Sequence, residues 1–345
     1  MPTPVSLYDW CLRTVYTQLL MMAAGLILYC FMIWFMKDLD RVNKFRTPIA
    51  VVGLLLLLMP MVPGIGVDQF GSRNWISIGG LSLQPSELTK LCFIFAGAAT
   101  LDHLQTKRNL AGYVVLMAAI MGVLAIEKDI GGAAIFFLTF LMIAFMRSGS
   151  MRTVVLFVAL AAVGIFAVLS MFDHVKARFD VWRHIWEGDN VYNAGFQQTH
   201  VLTYAASGGL FGIGNGGLGA GTAPLSGKVP IQANNSDLVF GVVVEELGLL
   251  MAVVLVAAFV VLIFMARGEA TRSRSTFYSI TANAAAGMLL VQACLNIFGS
   301  TDVLPLTGVT LPFISAGGTS MMAVWGALAF IKASDERTYA VRRRL

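Results

Sequence analysis

The sequence predicts an all-α fold: a polytopic transmembrane helical bundle of about nine spans, with one large extracytoplasmic loop at about 172–237. Three observations predict it. Of the 345 residues, 57% are hydrophobic and only 12% are charged, whereas a soluble domain carries about 25% charged residues. The apolar residues form continuous runs long enough to cross a bilayer. Lysine and arginine are concentrated in alternate connections between these runs.

The composition excludes several classes of protein. With a mean hydropathy of +0.77, a 37.2 kDa chain has too little polar surface to fold as a soluble enzyme or to remain disordered in water. The four cysteines form no CxxC pair, so the sequence indicates neither a disulfide framework nor a zinc site. The net charge of +5 is spread over short loops and does not form one basic face, so we expect no nucleic-acid partner.

The predicted spans form a single integral membrane domain over residues 1–345. Backbone groups in lipid must be hydrogen-bonded within their own segment, so each span is predicted to be a helix. The spans are residues 17–36, 47–66, 86–104, 110–126, 130–146, 153–171, 238–265, 279–299 and 311–331.

The distribution of basic residues predicts the orientation. Sixteen of the 24 lysines and arginines lie in one set of connections and the C-terminal tail, and seven lie in the opposite set. The tail is therefore predicted to be cytoplasmic. The two largest polar stretches, about 67–85 and 172–237, then face outward, which places any chemistry at the outer surface.

Two short polar segments interrupt the apolar runs. Pro85 is typical of the first turn of a helix, and Glu87 and Lys90, three residues apart, share one helical face. They form either a neutralising ion pair or part of a substrate site, and both can hold together. Asp129 precedes two glycines, in what is either a solvated loop or a carboxylate held beside a neighbouring helix.

The large outer loop has a basic beginning and a glycine-rich centre. Its basic residues at 176–183, interleaved with tryptophan, predict an amphipathic interfacial helix or, alternatively, an anion-binding surface. Residues 208–221 contain two GxGxxG matches, but a dinucleotide site needs a strand before and a helix after them. We therefore predict a flexible or tightly turned loop.

Asp237 lies where the loop ends and a long apolar helix begins. An aspartate at this place is either the N-cap of the helix or a general base at the outer mouth of the bundle. Glu245 and Glu246 follow two turns later on the same predicted helix. The histidines lack metal-ligand spacing and no G-x-S-x-G motif occurs, so a metalloenzyme or serine hydrolase is not indicated.

From about residue 37 to 332, the chain resembles the SEDS family (shape, elongation, division, sporulation), the FtsW/RodA/SpoVE group. Six segments are similar to family motifs and occur in the family's order. They are Gly71–Ile76, Gln84–Lys90, Asp129–Gly131, Phe196–His200, Ser236–Phe240 with Glu245–Gly248, and Leu304–Gly308 with Leu311–Ser320.

The resemblance implies a peptidoglycan glycosyltransferase that polymerises lipid II at the outer face of the bacterial cytoplasmic membrane. A class B penicillin-binding protein is the expected partner, and membrane lipids surround both. The family's catalytic carboxylate corresponds to Asp237. The diphosphate leaving group needs positive charge from Arg73, the 176–183 stretch or a divalent cation, Mg²⁺ or Mn²⁺. The expected substrate-binding residues are Arg73, Trp75, Glu87, Lys90, Asp129, Gln197 and Ser315.

The chain departs from the family pattern in places. The family usually has ten spans, and 17–36 matches the second. At motif positions, Glu127 replaces Gln, Lys128 replaces Pro, His200 replaces Gln, Asn235 replaces His and Ala316 replaces Tyr. Two other functions stay open on the sequence: a lipid flippase or transporter, which polar residues and broken helices would also serve, and a non-catalytic scaffold for a penicillin-binding protein.

Overall fold

The structure, a computed structural model, describes residues 4–69, 72–78, 81–102, 107–171, 173–214, 235–273 and 275–335. Long helices dominate it, and each predicted span coincides with one of them. The helices are α1 Pro4–Met36, α2 Leu39–Leu58, α3 Pro85–Asp102, α4 Lys107–Glu127, α5 Ile130–Ser148, α6 Met151–Met171, α7 Asp173–Val181, α8 Phe196–Gly208, α9 Val239–Thr271, α10 Thr276–Ser300 and α11 Gly318–Ser334.

Within the described residues, five helices are long and apolar enough to cross a membrane. They are Thr14–Met36, Leu39–Met61, Ile130–Ser148, Val239–Thr271 and Thr276–Ser300, and Ala111–Glu127 is a shorter apolar helix. The predicted polytopic helical membrane fold is confirmed. The number of nine spans stays a prediction.

Two predicted spans are shorter in the structure than in the sequence pattern. The span 47–66 is helical only to Leu58, and a 3₁₀ turn at Met59–Met61 follows, because Pro60 and Pro63 cannot continue the hydrogen-bonded helix. The predicted span 311–331 begins as non-helical chain, and α11 starts only at Gly318. Apolar composition therefore extended both predicted helices over segments that leave the helix.

A three-stranded antiparallel sheet follows the first of these breaks and was not part of the all-α prediction. Its strands are β1 Gly66–Gln69, β2 Ser72–Ile78 and β3 Leu81–Leu83, in the order β1-β2-β3. Side chains alternate along β2, so Asn74 and Ile76 are buried while Arg73 and Ser77 are exposed.

The chain forms two compact units. Unit 1 contains Met1–Gly149, Ile263–Leu289 and Ala316–Leu345. Aromatic rings fill part of its core: Phe93 stacks on Tyr113 with ring centroids 5.0 Å apart, and Phe136 meets Phe93 edge-on. These rings join α3, α4 and α5.

Unit 2 contains Ser150–Leu262 and Leu290–Ser315. Its buried cluster joins the start of α9 to the end of α10 and the chain after it. The cluster consists of Val239, Phe240, Ala252, Phe259, Ala293 and Leu311.

Helix α9 is broken at Gly248, whose φ of 85° and ψ of 167° are not helical. The first glycines after α8 lie against this break. The N–H groups of Ile213 and Gly214 donate to the carbonyls of Glu245 and Glu246, and the N–H of Leu249 donates to the carbonyl of Gly209. The broken helix thus regains hydrogen-bond partners from the loop. Residues 215–234, which hold the remaining glycines, lie outside the described residues.

Candidate active site

The predicted site residues are divided between the two units. Unit 2 holds Asp237, Gln197 and Ser315. Unit 1 holds Arg73, Trp75, Glu87, Lys90 and Asp129.

Asp237 lies in the turn at 235–238, immediately before α9. Its carboxylate faces the backbone of Gly308, since a Cβ built on Gly308 would lie 3.6 Å from Oδ2 of Asp237. Gly308 has a φ of +74°, a conformation that disfavours any side chain. The positive φ favours glycine here, while the 3.6 Å separation from the carboxylate would itself leave room for a Cβ.

Two side chains attach this turn to the chain between α10 and α11. Asn296, on α10, donates from Nδ2 to the carbonyl of Asp237 at 2.9 Å and to the carbonyl of Val309 at 2.7 Å. The hydroxyl of Ser315 donates to the carbonyl of Ser236 at 2.6 Å and accepts from the N–H of Leu311 at 2.7 Å. Ser315 is only 4% exposed, so this structure gives it a role in holding the backbone, while its predicted contact with substrate stays a prediction.

The basic stretch of the outer loop forms hydrogen bonds with the same connection, residues 301–317. We call these residues the 301–317 segment. Arg178 donates to the carbonyl of Leu306 at 3.2 Å, and Trp182 donates from Nε1 to the carbonyl of Val303 at 3.2 Å. The backbone N–H of Arg183 donates to Oδ1 of Asp302 at 3.2 Å. A helix is present at the predicted place as α7, and its basic residues from Lys176 onward are exposed. Its location at the membrane interface stays a prediction.

Backbone strain marks the candidate segments. Among the described residues, the non-glycine residues with positive φ are Lys128, Arg183, Asp302 and Phe313. Such conformations cost about 1–3 kcal/mol each and persist where the surrounding structure enforces them, often at functional sites. Two of them, Asp302 and Phe313, flank Gly308 within the 301–317 segment.

Gln197 is half-buried on α8 in unit 2, and its predicted role in substrate binding stays a prediction. Its neighbour Gln198 is the buried one, and donates from Nε2 to the carbonyl of Gly299 at 2.8 Å. That bond joins α8 to the end of α10. Of these two residues of the motif, Gln198 therefore holds α8 and α10 together, and Gln197 remains partly accessible.

In unit 1, Glu87 and Lys90 form the predicted ion pair on α3. Nζ of Lys90 lies 2.8 Å from Oε1 of Glu87, and their side chains are 4% and 8% exposed. The ion-pair interpretation is confirmed. A direct role of either residue in substrate binding stays a prediction.

Asp129 joins two elements of unit 1. Its Oδ1 accepts from the N–H of Gly132 at 2.7 Å, which caps α5, and its Oδ2 accepts from Nδ2 of Asn74 at 3.2 Å. Asn74 lies on β2 between Arg73, which is exposed, and Trp75, which is half-buried. Asp129 thereby fixes the strand that carries the two predicted substrate-binding side chains.

A divalent cation would need several oxygen or nitrogen ligands together. Over the described ranges, no group of three or more His, Cys, Asp or Glu side chains is placed to hold a metal ion. The described residues therefore do not form a ligand set for Mg²⁺ or Mn²⁺, and we assign no step of the reaction to such an ion.

Sequence reasoning missed Asn296, Gln198 and Asn74, all buried amides. A signal for Asn296 was present: it is a polar residue within the predicted span 279–299, and polar residues within a membrane span tend to be functional. The partners of these amides are distant in the sequence, so no local pattern identifies them.

Comparisons with known proteins show the family to which the chain is similar. The profile of the family described as "Cell cycle protein", which groups FtsW, RodA and SpoVE, matches residues 2–339. The peptidoglycan glycosyltransferase RodA of Mycobacterium tuberculosis is 26% identical over 331 residues, covering 91% of this chain and 68% of that protein. The probable peptidoglycan glycosyltransferase FtsW of Coxiella burnetii is 32% identical over 284 residues, covering 79% and 73%.

Solved structures have the same fold. A chain from a peptidoglycan synthase complex, described as coordinating polymerization and crosslinking, superposes with a TM-score of 0.77 at 23% identity, covering 95% of this chain and 91% of that one. The rod shape determining protein RodA of Thermus thermophilus gives a TM-score of 0.66 at 24% identity, covering 99% and 90%. With the family profile matched over nearly its whole length, this chain belongs to the FtsW/RodA/SpoVE family.

Proposed function

We propose that this protein is a peptidoglycan glycosyltransferase that polymerises lipid II at the outer face of the bacterial cytoplasmic membrane. Two relatives are named as a peptidoglycan glycosyltransferase and a probable peptidoglycan glycosyltransferase. The single observation that carries the proposal is the arrangement around the 301–317 segment. The basic stretch is bonded to residues 302–306, and the turn of Asp237 is bonded to residues 309–315.

Glycan polymerisation needs these two kinds of group. A carboxylate acts as general base when it accepts a proton from the attacking hydroxyl. Positive charge stabilises a departing diphosphate. The 301–317 segment holds both, which favours glycosyl transfer over a role in scaffolding alone.

In the proposed reaction, Asp237 removes the proton of the acceptor sugar's 4-hydroxyl as that oxygen attacks the anomeric carbon of the donor. A new glycosidic bond forms, and the bond between the anomeric carbon and the phosphate oxygen breaks. The electron pair leaves with undecaprenyl diphosphate, whose charge would be stabilised by the basic stretch. A positioned base typically contributes about 100- to 10,000-fold to the rate.

The remaining predicted residues would serve the substrate less directly. The Glu87–Lys90 pair would keep this part of unit 1 without a net charge. Trp75 and Gln197 would contact sugar, and the prenyl chains would lie between lipid-facing helices. A class B penicillin-binding protein would crosslink the product, in keeping with the similarity to a chain of a synthase complex that combines polymerization with crosslinking.

A lipid flippase remains the second candidate, because α9 is broken at Gly248 and transporters often use broken helices.

Purified protein incubated with lipid II, with and without Mg²⁺, tests the proposal by the appearance of glycan chains on a gel. The same protein in proteoliposomes is assayed for movement of lipid II between leaflets. Chains without movement support the glycosyltransferase, and movement without chains would support the flippase.

A further inference from the structure

We infer that Asn296 is a positioning residue for Asp237: its amide fixes the carboxylate against the 301–317 segment. The inference rests on the proposed function, in which Asp237 is the base. It adds a residue outside the motifs that carry the family resemblance. Asn296 lies inside the apolar run of α10, one turn before the helix ends at Ser300.

The contacts of Asn296 reach both backbone elements that surround the carboxylate. One hydrogen of Nδ2 goes to the carbonyl of Asp237 itself, and the other goes to the carbonyl of Val309. Val309 directly follows Gly308, whose backbone faces Oδ2 of Asp237. One planar amide therefore sets the separation between the carboxylate and the chain that faces it.

Ser315 provides a second connection between the same two stretches. It bonds Ser236, the residue before Asp237, to Leu311, two residues after Val309. Two bridges at neighbouring positions restrict rotation of the turn as well as its distance. The direction of the Asp237 side chain is thereby restricted from both sides of its Cα.

The burial of Asn296 indicates that its hydrogen bonds do more than stabilise the fold. The residue is 2% exposed, and its Oδ1 is buried with no hydrogen-bond partner among the described residues. A buried acceptor without a partner costs about 1–3 kcal/mol. An asparagine that carries this cost on one side and two short hydrogen bonds on the other is better explained by the geometry it imposes than by stability.

That geometry matters to a general base. The base must lie within about 2.6–3.2 Å of the oxygen whose proton it removes. A displacement of about 1 Å can cost about 100-fold in rate. Loss of the Asn296 bonds should therefore lower kcat, while KM for lipid II should change little, because Asn296 is buried and both of its amide bonds go to backbone carbonyls.

The chain offers a matched control on the same helix. Gln292, one turn earlier on α10 and 1% exposed, donates from Nε2 to Oγ1 of Thr310 at 3.0 Å. Gln292→Ala removes a buried amide bond from α10 to the same segment and leaves both Asn296 bonds in place. Asn296→Ala removes the bonds in question, and Asn296→Leu removes them while keeping the side-chain volume.

The experiment measures kcat and KM of lipid II polymerisation, together with the melting temperature, for the full-length purified variants. We expect kcat to fall about 10- to 100-fold in both Asn296 variants with KM little changed, and Gln292→Ala to keep a kcat near wild type. Equal kcat in the Asn296 and Gln292 variants would overturn the inference. So would a loss confined to KM, or failure of both Asn296 variants to fold while Gln292→Ala folds. Asp237→Asn, assayed beside them, separates the two claims, because a fully active Asp237→Asn would instead overturn the proposed function.

Discussion

At the scale of single residues, two buried charges on α3 stabilise each other, and the loss of either one is expected to destabilise the protein. Glu87 and Lys90 share a salt bridge with side chains at most 8% exposed. Removing one partner of a buried pair leaves the other charge uncompensated, which typically costs about 3–5 kcal/mol. The pair therefore stabilises α3 only while both members are present.

We expect Lys90→Ala to lower the apparent melting temperature of the purified protein by many degrees, because the Glu87 carboxylate stays buried without its partner. Lys332→Ala provides the control, since Lys332 and Asp335 form an i,i+3 pair that is half exposed at the lysine. Exposed pairs contribute about 0–1 kcal/mol, so that variant should melt near wild type. Equal melting temperatures for the two variants would show that the Glu87–Lys90 pair is not structurally important.

Lys128 shows how one substitution against the family pattern changes the backbone. The family motif has proline at this position, and Lys128 has a φ of 61°. Proline is restricted to a φ near −65°, so it cannot adopt the conformation seen here. The sequence revealed the departure, but only the structure shows that the turn before Asp129 follows a different path from the one proline would impose.

At the scale of elements, α9 depends on a loop for its continuity. Gly212 has a φ of +77°, and a Cβ there would collide with the carbonyl of Glu246 and approach the N–H of Gly248 at 2.7 Å. Some of the glycines that resembled a dinucleotide motif lie within the described residues, and these pack closely against the broken helix α9. The expectation of a tight turn is confirmed at residues 208–214.

We expect Gly212→Ala to destabilise the protein by about 1–3 kcal/mol, since alanine must adopt a left-handed conformation and displace the backbone of α9. Gly268→Ala, on the same helix with nothing within 4 Å of its added Cβ, should be neutral or slightly stabilising. Thermal unfolding of both variants in one detergent checks this. A Gly212 variant as stable as the Gly268 variant would refute the close packing of the loop on α9.

The existence of the long helices was predictable from the sequence because each contains a continuous apolar run, and Pro85 correctly marked the start of α3. The sheet at Gly66–Leu83 and the non-helical chain at 311–317 were not predictable in the same way. Leu311, Phe313 and Ile314 have the composition of a span. Their path depends on hydrogen bonds from Ser315, together with a positive φ at Phe313, and neither has a local sequence signature.

At the scale of the whole molecule, the orientation in the membrane decides whether the candidate site faces the cytoplasm or the outside of the cell. The basic residues predict a cytoplasmic α1–α2 connection and an outward loop after α6. In a cysteine-free background, Asp189→Cys should react with a membrane-impermeant maleimide in intact cells, and Lys44→Cys should react only after the cells are opened. Both residues are exposed. The reverse pattern would invert the proposed topology.

The sequence singled out the basic stretch because it interrupts the apolar runs, and it singled out Asp237 because the catalytic carboxylate of the resembled family corresponds to it. It could not identify the arrangement that links them. Asn296 and Gly308 act through contacts with Asp237 at 59 and 71 residues' distance along the chain. Such contacts depend on how the start of α9, the end of α10 and residues 301–315 pack within unit 2, which a single sequence does not encode in any local pattern.

The central claim is that Asp237 is the general base of glycan polymerisation. The most direct measurement compares the rate of lipid II polymerisation by Asp237→Asn with that of wild type and of Asp189→Asn, an exposed aspartate in the same unit. We expect the Asp237 variant to lose about 100- to 10,000-fold in rate while keeping a normal melting temperature, and the Asp189 variant to remain active. Glycan chains formed by Asp237→Asn at the wild-type rate would contradict the claim.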